Sequence, residues 1–492
     1  MEEGEPTPGL IDTVRERVLH RPRRHVAKRH VVGFGRLMAL ASGVGLCGGL
    51  LAAAYYFLLS GALSAVWNHL APALGAPLSP EEAAHVPPPH PVITASHGLS
   101  QILPGPSPIW VISALGGVLV GLALWKLGTP GEISAVVNNI HVKRGRIDIR
   151  QTPSMVVISL LSISFGGSAG PEAPLVQIIG SLGSWVGDRL RLHASLVRTL
   201  TFCGMSAALG AFFGAPLGGA LFALEIPHRR GLEYYEALVP SVVAATLSYV
   251  VFRAFVPAYG PFGLLLPVHE AMPQITLTHV LEGIGFGVFG GAVGVIFIYL
   301  FRTIGRLLHP MRHRSVVLGA VGGLSIGVIA LLMPAGFPST TFFWGEYQIG
   351  DMAGIDRTLI TRYGLHIAIA LLVLFAFLKM VAVGMTLHSG FRGGFIFPLF
   401  LIGAALGMAV SIGTHGLFSA PVAMLCTMAA VNVAVTKTPI SSAVILTTVS
   451  GTSMLPVIGA ACLASFVLTT RVSLIETQRS RAAVPPPLSA EG

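Results

Sequence analysis

Charge is what this 492-residue sequence has least of. Asp, Glu, Lys and Arg together make up 11% of it, against about a quarter in an ordinary soluble domain. Hydrophobic residues reach 53% and the mean hydropathy is +0.75, which excludes a soluble protein and leaves a polytopic membrane protein. Cysteine is also scarce. Cys47, Cys203, Cys426 and Cys462 stand apart in apolar stretches with no CxxC, so they read as small buried hydrophobes, not as a disulfide or metal framework. The 17 His are dispersed, and neither HExxH nor GxSG occurs. An intramembrane enzyme therefore lacks its metal ligands and its nucleophile, and no metal, cofactor or catalytic residue is expected. No basic domain stands apart from the apolar segments, so nucleic acid is not an expected partner. No signal peptide opens the chain: its first 31 residues are polar and basic, and the apolar run that follows exceeds h-region length.

The net charge of +10 is informative by position. Basic residues gather at Arg15–Arg36, His141–Arg150, Arg189–Arg198, His228–Arg230 and Arg302–Arg314, between apolar runs. The positive-inside rule puts these on the cytoplasmic side and predicts a multi-pass protein of the plasma (cell inner) membrane with both termini cytoplasmic. Residues 1–32 form a basic arm at the lipid surface, 33–470 the membrane domain, and 471–492 a short tail. Within the membrane domain, long apolar runs cover about 33–63, 109–127, 237–256, 278–301, 315–333 and 366–387. The Pro- and Ser-rich stretch 64–107 and the polar, aromatic stretch 334–365 read as external loops.

Between 151 and 225 the apolar runs are short and broken by Gly and Pro. Runs that short cannot cross a hydrocarbon core, which needs about 20 helical residues. They predict half-helices meeting inside the membrane, where irregular backbone survives only if it is buried in protein or lines an aqueous path. One break holds Gly167-Ser168-Ala169-Gly170-Pro171-Glu172-Ala173-Pro174. From Gln151 to Gly187, Glu172 is the only Asp, Glu, Lys or Arg. An ionisable group at membrane depth is costly and marks function by default. The flanking prolines place it at the start of a helix, beside free N–H groups and the positive end of a dipole. A carboxylate that merely caps that helix is the alternative.

The second half repeats this plan. Ser389-Gly390-Phe391-Arg392-Gly393-Gly394-Phe395-Ile396-Phe397-Pro398 is a second Gly-rich break, and Pro439 opens a later run as Pro216 does. Pro174 and Pro216 are 42 positions apart, Pro398 and Pro439 41. Matched broken segments in two halves point to a transport site at the interface of inverted repeats, here about 109–256 and 278–470. The fold class is thus all-α, polytopic, with two inverted-topology repeats and re-entrant helices. Several half-helix N-termini converging would hold a small anion on backbone amides. A carboxylate in the same place would mimic the anion when charged and release the path when protonated.

These motifs resemble the CLC family of chloride channels and proton–chloride antiporters over roughly residues 33–478, in a compact form without CBS domains. Gly170-Pro171-Glu172-Ala173-Pro174 is similar to the family's Gly-x-Glu-Gly-Pro, Gly394-Phe395-Ile396-Phe397-Pro398 to its Gly-x-Phe-x-Pro, and Ala215-Pro216-Leu217-Gly218-Gly219-Ala220-Leu221-Phe222-Ala223-Leu224-Glu225 to its Ala-Pro-Leu run. The resemblance implies a homodimer with one pore per subunit and casts Glu172 as the external gating glutamate. It assigns backbone contacts with the anion to Glu172, Ala173, Phe395, Ile396 and Phe397. Departures accompany it. The serine of the first motif aligns with Gly128, or Thr129 if the register slips by one. The pore tyrosine is replaced by Ile475. The inward proton-relay glutamate is replaced by Ile226, beside Glu225, which matches a structural glutamate of the family. Lys437 is expected to cap a helix C-terminus or face the inner mouth, and Arg392 to enrich anions at a vestibule or to be solvated.

The expected function is transmembrane chloride transport, as proton-coupled antiport gated by Glu172. A pH-gated passive channel and a fluoride exporter are the alternatives within the family, and an intramembrane enzyme the rival outside it. The partners expected are a small anion, protons and the lipid bilayer.

Overall fold

A computed structural model describes residues 23–74, 109–143, 145–231, 235–257, 259, 275–334, 337, 340–353 and 355–480. Most of the expected N-terminal arm, the Pro- and Ser-rich stretch and residues 481–492 lie outside them. The described residues are almost wholly helical. Eight helices are long and apolar enough to cross a membrane, and shorter ones lie between them.

The first helix, α1 (Arg23–Ser64), continues through one π-helical turn to Ala73 and so begins before the apolar run does. Then follow α2 (Ile109–Leu127), α3 (Ile133–Val142), α4 (Thr152–Ser164), α5 (Glu172–Arg189), α6 (Ala194–Phe213), α7 (Pro216–Glu225) and α8 (Tyr235–Phe255). The second half contains α9 (Leu277–Leu308), α10 (Ser315–Leu331), α11 (Glu346–Ala353), α12 (Ile355–Tyr363), α13 (Leu365–His388), α14 (Ile396–Gly413), α15 (Ala420–Thr436), α16 (Pro439–Ser450) and α17 (Leu455–Thr469). Helices α3 and α7 have 10 residues each and α16 has 12. At 1.5 Å per residue they span about half of a 30 Å core, as half-helices must.

The two halves match at their broken segments. Pro174 and Pro398 are each the third residue of an 18-residue helix, α5 and α14. Pro216 and Pro439 are each the first residue of a short one, α7 and α16. Proline belongs there because the N–H it lacks would have no intrahelical partner. Helix α5 packs on α6, α14 on α15, and α7 on α16. The halves are joined at their breaks by an antiparallel bridge in which Gly170 N–H donates to Gly394 O (2.8 Å) and Gly394 N–H to Gly170 O (2.6 Å).

Close helix packing rests on small residues, as expected where lipid offers no hydrophobic drive between helices. Along the α2–α10 crossing a Cβ on Gly117 would collide with the carbonyl of Gly319. The last described residues return over the bundle. Arg479–Ser480 pairs in parallel with His228–Arg230. Thr477 Oγ1 donates to Ser134 O (2.9 Å), Arg302 Nη2 to Ser473 O (2.7 Å), and Gln478 Nε2 to Ile226 O (2.8 Å) and Thr436 O (2.7 Å). Residues 471–480 are therefore a strap packed on the membrane domain, reaching beyond the boundary expected at 470.

Candidate anion site and gate

Helices α5 and α14 begin side by side because the Gly170–Gly394 bridge holds the residues before them together. Glu172 is the first residue of α5 and only 1% exposed. Its side chain crosses to the other half, where Ile396 N–H at the first position of α14 donates to Oε1 at 2.9 Å. Gly170 and Gly394 make the space, since a Cβ on either would overlap the Glu172 carboxyl group. Glycine is needed here for close approach. Nearby, Arg392 N–H donates to Ser162 Oγ (2.8 Å) and Ser168 N–H to Thr386 Oγ1 (3.0 Å), so both breaks are fixed from flanking helices.

The other sequence-predicted positions distribute around this point. Phe397 is fully buried, its ring edge-on to Phe212 (5.4 Å) and Phe213 (5.5 Å). Ala173 lines two cavities. One, of about 80 Å3, opens towards the basic end and is also walled by Glu132, Arg392, Phe395 and Ile475. The other, of about 10 Å3, lies between Glu172, Ile396, Phe222 and Ile226, which is room for about one water molecule. Ile475 is buried on the wall of the larger cavity, placed there by the strap.

Gly128 and Thr129 are exposed and line neither cavity. Gly128 has φ +80° and its N–H returns to Leu124 O, so it terminates α2 in the left-handed conformation that glycine favours there. The turn that reaches the cavity comes three residues later, at Gly131, Glu132 and Ile133. Glu225 is used as a cap: Ile440 N–H (3.0 Å), Ser441 N–H (2.9 Å) and Ser441 Oγ (2.7 Å) all donate to its carboxylate at the start of α16. Lys437 follows the first of its two expected readings. With φ +63° it closes α15, and its Nζ donates to Ala434 O (2.6 Å), Thr469 O (2.6 Å) and Thr469 Oγ1 (2.8 Å), the ends of α15 and α17.

Two buried charged residues escape the sequence reading. Lys379 sits midway along the apolar α13 and is 0% exposed, donating to the carbonyls of Thr341, Phe342 and Phe343 at 2.8–3.0 Å. Glu346 is buried at the start of α11, where Trp344 Nε1 donates to it (3.1 Å) and the Tyr259 hydroxyl lies 3.1 Å from both carboxylate oxygens. Tyr259 also donates to Phe212 O (2.9 Å), and the Phe212 ring touches that of Phe397. Glu346 therefore belongs to the wall behind the Glu172 site. A lysine in a long apolar run and a glutamate beside Trp344 were the available signals. Among the described residues, no group of His, Cys, Asp and Glu is arranged to hold a metal.

The profile of the family described as "Voltage gated chloride channel" matches residues 116–470, from α2 to the end of α17. The chain belongs to the CLC family. Its members are anion channels and transporters, not enzymes. Among curated CLC relatives, the "Chloride/fluoride channel protein" of Pseudomonas syringae pv. tomato is 29% identical over 377 residues, covering 75% of this chain and 78% of that protein. The "Putative ion-transport protein YfeO" of Escherichia coli O1:K1 is 27% identical over 320 residues, covering 63% of this chain and 71% of that one. Two solved CLC structures share the fold. A CLC-type fluoride/proton antiporter superposes with a TM-score of 0.69 at 22% identity over 91% of this chain and 98% of its own. A slow cyanobacterial Cl−/H+ antiporter gives 0.68 at 20% over 88% and 94%.

Proposed function

We propose that this CLC protein exchanges a small anion for protons across the plasma membrane, as a homodimer with cytoplasmic termini, and that Glu172 is its movable gate. The observation that carries this reading is the carboxylate of one half seated on the first helix amide of the other half. A buried amide N–H that donates to a carboxylate oxygen also donates to an anion, and the two compete for it. Protonation removes the charge that makes Glu172 a competitor, so each anion admitted is linked to a proton taken up. Ala173, Phe395, Ile396 and Phe397 are the neighbouring backbone positions that would complete the anion's path.

Chloride is the anion in this reading. Fluoride is the alternative that the names of the Pseudomonas relative and the fluoride/proton antiporter bring in. A passive channel is the second reading, favoured by one observation: Ile226 ends the small cavity beside Glu172 with a side chain that carries no proton. In this proposal a single water in that cavity bridges the step instead.

Proteoliposomes monitored for anion flux and internal pH together separate the readings. A chloride gradient that drives protons uphill supports exchange, and chloride flux with no proton movement sinks it in favour of the channel. Replacing chloride by fluoride in the same assay decides the anion. Wild-type flux should rise on acidification, because the gate is neutralised, and Glu172→Gln should be flat with pH and uncoupled.

A further inference from the structure

Glu346 is a second buried carboxyl group behind the gate, and the gating step makes no use of it. It is 1% exposed, and among the described residues no Lys, Arg or His pairs with it. Lys379 is near in the fold, but its Nζ is committed to the carbonyls of Thr341, Phe342 and Phe343. A carboxylate left ionised in such a place costs far more than a neutral acid.

Hydrogen-bond counting assigns the proton. Tyr259 has one hydroxyl proton, and its oxygen is 2.9 Å from Phe212 O and 3.1 Å from each oxygen of Glu346. Phe212 O needs that proton, because the residue four positions on is Pro216, which has no N–H to give it. The Tyr259 oxygen therefore accepts from Glu346, which must be a carboxylic acid. Trp344 Nε1 donates to Oε2 (3.1 Å), which leaves the acid proton on Oε1. An ionised Glu346 is also catered for: Tyr259 has only to turn its proton from Phe212 O to the carboxylate.

The charge of Glu172 reaches Glu346, and two like charges so placed disfavour each other. The remaining titratable neighbours are phenols. Tyr56 packs edge-on to Tyr259 (5.4 Å), and the Tyr55 hydroxyl is 2.8 Å from Ser159 Oγ. Helices α12 and α14 pack against α11. Helix α14 contains no titratable residue, and on α12 Arg362 lies over the Tyr363 ring (5.5 Å).

We propose that Glu346 is a positioning residue for the gate, coupled to Glu172 so that the two carboxyl groups hold one proton between them. With Glu172 seated on Ile396 N–H, the proton is on Glu346 and the charge on Glu172. When Glu172 is protonated and leaves, the repulsion is lifted and Glu346 can ionise. One O–H bond forms at Glu172, one breaks at Glu346, and water carries the proton. Glu346 then regains a proton from water as Glu172 returns to its seat. This role rests on the reading of Glu172 as the gate; the electrostatic coupling does not.

The test is Glu346→Gln, which copies the neutral acid, amide N–H included, and cannot ionise. In proteoliposomes its chloride flux should fall several-fold at neutral pH and recover on acidification, where Glu172 is protonated without help. A merely structural Glu346 predicts the wild-type profile. Tyr259→Phe keeps the ring packing on Tyr56 and Phe252 and removes the donor that an ionised Glu346 requires. It should change the profile in the same direction, and it decides the matter if Glu346→Gln does not fold. Infrared titration of the full-length protein in detergent reads the coupling directly. The carboxylic acid band lost in Glu346→Gln should titrate about one pH unit lower in Glu172→Gln than in wild type, as expected when a like charge is removed. Flux profiles of both variants that superpose on wild type, or a Glu346 band indifferent to the Glu172 charge, overturn the proposal. A pH response that survives Glu172→Gln would sink the gate reading and leave the infrared shift in place, so the two failures are distinguishable.

Discussion

At Gly394 a single methyl group would decide where Glu172 can sit. Gly394→Ala fills the space of the carboxyl group, so the side chain must leave Ile396 N–H. Anion flux should then lose most of its dependence on pH while the gate residue itself is intact, as read by chloride efflux between acidic and neutral pH. Glu225 answers to a different measurement. Its oxygens are occupied by the α16 N-terminus, so Glu225→Gln should lower the melting temperature in detergent and leave the proton-to-anion ratio unchanged. A changed ratio would make it a relay. Lys379→Met strands three buried carbonyls, each costing about 1–3 kcal/mol, and should give the largest loss of thermal stability of the three. Residue identity alone pointed to Glu172, because no other ionised group stands near it in sequence. It did not point to Lys379, since one lysine barely lowers the hydropathy of a 24-residue apolar helix, and its three carbonyl partners lie in a loop with no periodic signal.

Elements were legible where proline and length speak together. Pro174, Pro216, Pro398 and Pro439 each fell in the first turn of a helix, because that is the turn where a missing N–H costs nothing. Legibility failed at Gly128. A motif register alone cannot say whether a glycine ends one helix or begins the next, and φ +80° shows that it ends α2. The strap was equally hidden, since Gln478 and Thr477 look like any polar tail residues until their partners are known. Removing the chain after Thr470 should strip Ile475 from the cavity wall and unpair Ile226 O and Thr436 O. The truncated protein should melt several degrees lower and leak anion with little pH control, measured by the same efflux assay. Ile475→Tyr is the complementary change. If the phenol reaches the cavity, chloride should bind more tightly by calorimetry than to wild type.

On the scale of the whole molecule, composition was sufficient for the membrane class, and paired spacings for the inverted repeat. What no spacing conveyed is which groups meet at the interface: the carboxylate comes from α5 and its amide from α14. Matching breaks announce two similar units, but only the Gly170–Gly394 bridge reveals how they are pressed together.

That bridge also dictates an order of events during synthesis. Glu172 and the amide that receives it are 224 residues apart, a separation that makes the contact late to form. The translocon hands over α5 long before α14 exists, so the carboxylate must wait unpartnered, in water or at the bilayer surface, until the second repeat arrives. A chain ending after α8 should therefore be cleared by membrane proteases. The same piece co-expressed with the rest of the chain should be protected, which a pulse-chase comparison would record.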